Sequence, residues 1–215
     1  MKIFFDVDGV LIDGWHQNPE RRRPWHTTLA EDLNLDVPIF LELVFGVGAS
    51  PKFNAPIHAC AKGERDLKHL LADVLPHTGY KGSVDAFLAY WFEKDAHLND
   101  IIFGAVRKLS ARSDVSLYVA TGQEHHRAAY LWDQLNFKAY FREMFYSAKL
   151  GHLKNEAAFF DAINRRLGIL PGDRPLFFDD TTEVVLMARE AGWDAQLVDT
   201  PADVIHHPRL KALLG

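Results

Sequence analysis

The chain has 215 residues, 48% of them hydrophobic and 25% charged, with a formal net charge of −5. That size and apolar content suit a soluble domain, or a domain carrying an insertion, with a sizeable core. The acidic balance argues against a nucleic-acid partner, which selects a basic face, and the single cysteine, Cys60, cannot close an internal disulfide, so a reducing, cytoplasmic setting is expected.

In chain order, residues 2–7 read as a short buried strand running into Asp6-Val7-Asp8-Gly9. Side chains alternate along a strand, so Asp6 and Asp8 point to one side, and Gly9 permits a sharp turn after them. Acids this early also interrupt any signal-peptide core. About a hundred residues then pass before the next strand, too many for a structureless loop. Amphipathic helical stretches at 26–33, 64–75 and 83–93, punctuated by Pro and Gly, make residues 15–92 a helical insert. Its greasiest stretch, 37–47, is short and interrupted by Glu42, so no membrane span is expected. A helix at 99–110 returns the chain to the sheet. Strands at 115–120, 143–146, 175–178 and 195–198 then alternate with helices at 124–135, 155–167 and 183–191. Short apolar strands alternating with helices predict an α/β fold, a doubly wound parallel sheet covered on both sides. The core is expected to be residues 1–14 and 93–215.

Four strand ends each deliver polar groups. The first gives Asp6 and Asp8, the second Thr121-Gly122, the third leads to Lys149 and Lys154, and the fourth gives Asp179 and Asp180. Ligands of open parallel sheets bind outside the carboxyl ends of the strands, so these groups converge on one crevice. The set suits phosphoryl transfer: a carboxylate nucleophile, a second acid for proton transfer, oxygen ligands for Mg²⁺, an anion site at a helix start and a lysine to neutralise charge.

Taken in order, D-V-D-G-V-L from Asp6, the apolar strand ending at Thr121, S-A-K-L-G-H-L-K ending at Lys154, and F-F-D-D at 177–180 resemble the four motifs of the haloacid dehalogenase (HAD) superfamily. The insert between the first two motifs is similar to the helical cap of the subclass containing phosphoglycolate phosphatases and β-phosphoglucomutases. The resemblance implies an HAD-like Rossmannoid core with an inserted cap and a Mg²⁺-dependent phosphatase of small phosphorylated metabolites. It makes Asp6 the nucleophile and a metal ligand, and Asp8 the general acid/base, touching the metal through its carbonyl. It gives Thr121 and Lys154, with Gly9 and Gly122, to the phosphoryl group, and Asp180 to the metal, with Asp179 in support or the reverse. Two departures stand out: Asn155 follows the lysine where proline is common, and Gly122 withholds an amide side chain often found there. Lys149 is a rival for the lysine role. A phosphomutase, or an idle relative that binds metal or a partner, would share the same motifs. The substrate and the oligomeric state are not encoded in them.

Elsewhere, Arg21-Arg22-Arg23 reads as a solvated charge run that could instead steer an anion, and Trp25 and His26 follow it. Tyr90, Trp91 and Phe92 read as packing of the insert. His125 and His126 are adjacent, so they do not face each other on a helix. His206-His207 reads as a surface tail, and Cys60 as a small buried residue.

Overall fold

A computed structural model of the chain describes residues 1–13, 24–46 and 55–215. The elements run β1 (Lys2–Phe5), α1 (Leu29–Leu33), α2 (Val37–Phe45), α3 (Pro56–Ala61), α4 (Leu67–Val74), α5 (Val84–Lys94), α6 (Asp100–Ser110), β2 (Ser116–Thr121), α7 (His125–Ala129), β3 (Glu143–Tyr146), α8 (Ser147–Leu150), α9 (Ala157–Leu167), β4 (Leu176–Asp179), α10 (Thr182–Glu190), β5 (Asp194–Leu197), α11 (Pro201–Ile205) and α12 (Pro208–Leu214). The strands form one parallel sheet in the order β3-β2-β1-β4-β5. The predicted α/β class is therefore the observed one.

Strand alternation sorts the core into two layers. Ile3, Phe5, Leu117, Val119, Leu176 and Phe178 face one side, where α6, α11 and α12 cover them. Phe4, Tyr118, Ala120 and Phe177 face the other, against α9, α10 and Trp193. Burial on both faces explains why these strands read as continuous apolar runs. Between β1 and β2, the helices α1–α5 close around a hydrophobic cluster of their own, built on Phe40, Leu70, Leu71, Phe87 and Trp91.

Three elements differ from expectation. Helix α2 lies in the greasy stretch, whose nearly continuous apolar run hides its period. Only Phe40 and Val44, one turn apart, are fully buried there. Its start is marked by Asp36, which accepts a hydrogen bond from Ile39 N, and its end by left-handed Gly46. The segment of the histidine pair is no surface tail: α11 and α12 bury Val204 and Leu210, and while His206 is exposed, the His207 ring packs edge-on against Phe178. The predicted helix 124–135 is also two pieces, α7 and a π-helical turn at Tyr130–Gln134. Arg21, Arg22 and Arg23, and the expected 14/15 boundary, lie outside the described residues.

Candidate active site

Because β1 sits between β2 and β4, the three strand ends that carry acids and Thr121 are neighbours at one edge of the sheet. Asp6 N donates to Phe178 O (2.9 Å), which fixes the nucleophile candidate beside the end of β4. The chain then turns: Ile12 N bonds Val7 O (2.7 Å), and Gly9 adopts φ +80°, the left-handed region that a Cβ disfavours.

Asp6, Asp179 and Asp180 offer carboxylate oxygens within 4.8 Å of one another. Lys154 enters from the loop before α9, with Nζ 2.5 Å from Asp6 Oδ2 and 2.7 Å from Asp179 Oδ2. Burial opposes the charge on Lys154, but Asp179 and Asp6 outweigh it and hold its pKa above the ordinary lysine value. Burial pushes the Asp6 carboxyl up, against the pull of Lys154 and with Asp179 and Asp180 adding to the push. One cation among three acids leaves an excess of negative charge, and buried Asp6 Oδ1 has no hydrogen-bond partner among the described residues. An orphaned buried carboxylate oxygen in an oxygen-only donor set fits a hard divalent cation such as Mg²⁺. Asp179 is fully buried and accepts from Thr181 N (2.9 Å), whereas Asp180 is half-buried and accepts from Thr181 Oγ1 (3.2 Å). Lys149 instead pairs with Glu143 at 3.0 Å, over the Phe145 ring. Thr121 is buried at the end of β2. A Cβ on the following Gly122 would meet open space, so no packing contact requires glycine there.

Asp8 stands apart from the buried acids, its side chain 52% exposed. Gln123 Nε2 donates to its Oδ2, and Arg127 Nη2 lies 3.4 Å from its Oδ1. The Arg127 side chain is only 5% exposed. It also reaches Asp95 Oδ2 and Asp95 O, both at 3.2 Å, and Phe92 O at 3.5 Å, and it lies over the Phe92 ring. Burial lifts the Asp95 carboxyl to about 7, against the pull of Arg127 and with a push from Asp8. Gln123, Arg127 and Asp95 were not singled out from the sequence. Gln123 precedes α7 and Asp95 is far away in sequence, so no local pattern pointed to the three.

Around Asp8 and Gly122 opens a cavity of about 270 Å³ between the sheet edge and α2–α5. Trp91 and Phe92, expected only to pack the insert, also line it, and Trp25 stacks on Trp91. The histidines differ: His126 Nε2 meets Asp66 Oδ2 at 2.9 Å, across to the start of α4, while His125 meets the Tyr146 hydroxyl at 3.3 Å. Cys60 is buried, its thiol pushed up to about 11 by burial, which disfavours the thiolate.

Several solved structures share this architecture. An HAD family enzyme from Bacteroides thetaiotaomicron, solved with magnesium and inorganic phosphate, is 16% identical with a TM-score of 0.70, over 91% of this chain and 92% of that one. A protein from Porphyromonas gingivalis predicted to be an HAD-like family hydrolase is 17% identical with a TM-score of 0.71, over 99% and 97%. A Thermotoga maritima protein assigned as a β-phosphoglucomutase is 18% identical with a TM-score of 0.56, over 98% of each chain. At such identities the likeness is one of fold. A search of curated protein sequences finds no match. The family model of haloacid dehalogenase-like hydrolases matches residues 3–192, and with that span covering most of the sequence the chain belongs to the haloacid dehalogenase-like hydrolases.

Proposed function

We propose that the protein is a Mg²⁺-dependent phosphatase of small phosphorylated metabolites, working through an aspartyl-phosphate on Asp6. The observation that carries this reading is the Asp6–Lys154–Asp179 cluster, with a second acid, Asp8, two residues on and facing a cavity. An Asp6 oxygen attacks phosphorus as the bond to the alcohol oxygen breaks, and Asp8 gives that oxygen its proton. Water then attacks phosphorus and gives its proton to Asp8, the bond to Asp6 breaks, and phosphate leaves. Lys154 offsets the charge of Asp6 and of the incoming anion. Thr121 and the backbone N–H of Gly122 suit the phosphoryl oxygens, whereas Gly9 N already donates to Ile12 O (3.0 Å), so Gly9 serves the turn and not the anion.

Asp6, Asp179 and Asp180, with the Asp8 carbonyl, would hold Mg²⁺, Asp180 being the direct ligand and Asp179 the support that also anchors Lys154. When bound, the ion draws charge from the phosphoryl oxygens. Residues 15–92 act as a cap on a core of 1–14 and 93–215, excluding bulk water during chemistry. The lone cysteine favours a reducing, cytoplasmic setting, and no helix among the described residues is long and apolar enough to cross a membrane.

Phosphate release from a panel of small phosphomonoesters tests the reading. Turnover with Mg²⁺ that disappears with EDTA and falls by at least about 10³-fold in Asp6→Asn is expected. Asp6→Asn with undiminished turnover would sink it. An isomeric sugar phosphate in place of free phosphate would convert the reading to a phosphomutase.

A further inference from the structure

The cavity beside Asp8 has a chemistry that narrows the alcohol half of the ester. Its apolar walls are Trp25, Phe45, Ile57, Leu67, Trp91 and Phe92. The Trp25 and Trp91 rings lie 4.5 Å apart and nearly parallel, so the wall on that side is built on one aromatic stack. At about 270 Å³ the space is ample for a ring, since an apolar cavity of about 150 Å³ accepts benzene.

Its charged lining offers no uncommitted cation among the described residues. Asp8, Asp95 and Glu124 line the cavity, against Arg127 alone among the described residues. Glu124 accepts from the amides of His126 and Arg127 at the start of α7, so it is held in place. Arg127 is committed as well: Asp8, Asp95, two backbone carbonyls and the Phe92 ring surround its guanidinium. A second anionic group entering here would meet no uncommitted cation among the described residues, and pairing with Arg127 would displace a carboxylate from a buried arginine, which is costly.

We infer that this cavity receives the alcohol part of the substrate and selects a flat, apolar group, such as one ring on a short carbon chain, with no second anionic charge. The inference rests on the phosphatase reading for the phosphoryl end. It disfavours esters with a carboxylate or a second phosphate close to the first.

Three primary alkyl phosphates with matched reacting centres test it: ethyl phosphate, 2-phenylethyl phosphate and phosphoglycolate. Calorimetric titration of Asp6→Asn with Mg²⁺ reads binding without turnover, and kcat/KM of the native protein reads catalysis. Binding of 2-phenylethyl phosphate at least about tenfold tighter than ethyl phosphate is expected, with phosphoglycolate weakest. Trp25→Ala should cut the phenylethyl advantage by about threefold or more, through lost aromatic contact. Ile57→Lys, which puts a cation into the wall, should raise phosphoglycolate relative to 2-phenylethyl phosphate, and it carries the test if Trp25→Ala does not fold. Phosphoglycolate binding as tightly as 2-phenylethyl phosphate, or a preference that neither variant moves, overturns the inference. Native turnover of all three esters without preference overturns it while leaving the phosphatase reading intact. The expected binding order with no turnover upholds the cavity's selectivity and removes the phosphatase reading instead.

Discussion

A general acid must be aimed as well as protonated, and an exposed aspartate on a turn has many rotamers. Gln123 and Arg127 each grip one oxygen of Asp8, and Arg127 is itself anchored by Asp95 and two carbonyls. On the proposed reading, in which Asp8 is the general acid, Arg127 is a positioning residue. Arg127→Lys keeps the charge but loses the planar fork. It should lower kcat on ethyl phosphate by about tenfold to a hundredfold, within the range general acid catalysis supplies. On p-nitrophenyl phosphate, whose leaving group departs without a proton, the loss should be several-fold smaller. Equal losses on both esters would mean that Arg127 only supports the structure. Asp95 makes a pH prediction. Its folded-state pKa, about 7, lies above the ordinary 3.8, so the native state holds the proton more tightly. Its contribution to stability is therefore greatest below pH ~4 and declines as pH rises toward 7. Urea denaturation across that range should show a shallower decline for Asp95→Asn than for the native chain, and parallel curves would contradict the assignment. Glycines next to the site divide sharply: Gly122→Asn should fold normally, because its Cβ meets open space, whereas Gly9 at φ +80° should lose about 1–2 kcal/mol as Ala. The residues proposed as reactive were legible because strand ends announce themselves as polar residues after apolar runs. Arg127 was not, because its partners Asp8 and Asp95 are far from it in sequence and nothing local distinguishes it from a solvated helix arginine.

Between elements, the insert meets the core at a few close contacts. Gly63, just after α3, has φ +75°, and a Cβ there would come within 2.5 Å of Ala148 O in α8. Nearby, Lys62 Nζ pairs with Glu156 Oε1 at 2.7 Å, and Asp66 caps α4 through Lys68 N while its other oxygen holds His126. The two chain crossings are laced together by Asp13 N to His97 O (2.7 Å) and Asn99 N to Leu11 O (2.9 Å). Gly63→Ala should cost about 1–2 kcal/mol and separate the insert from α8, read as a lowered denaturation midpoint and faster proteolysis of the insert. Lys62→Ala, by contrast, removes a partly exposed ion pair and should change stability by less than about 1 kcal/mol. A Gly63→Ala protein as stable as the native one would show that the contact gives way easily. Helices α4 and α5 were readable from their period, but α2 was not. The insert's own core surrounds α2 with hydrophobic neighbours, so even its partly exposed positions are apolar and the helical period is flattened.

At the scale of the whole molecule, strand order 3-2-1-4-5 turns four motifs scattered over the chain into one site, since β1 lies between the strands that bring Thr121 and Asp179. All five strands were legible because a doubly covered sheet demands short apolar segments. The order in which they pair, like the charged lining of the cavity, depends on folding that no local pattern encodes. The central claim is that Asp6 carries the phosphoryl group, and chemical trapping tests it most directly. Native protein mixed with a turned-over ester and Mg²⁺, quenched in acid within one turnover and reduced with borohydride, should yield homoserine at position 6 in the N-terminal peptide. Turnover that leaves Asp6 unmodified at every quench time, or that marks a different residue, would contradict the account.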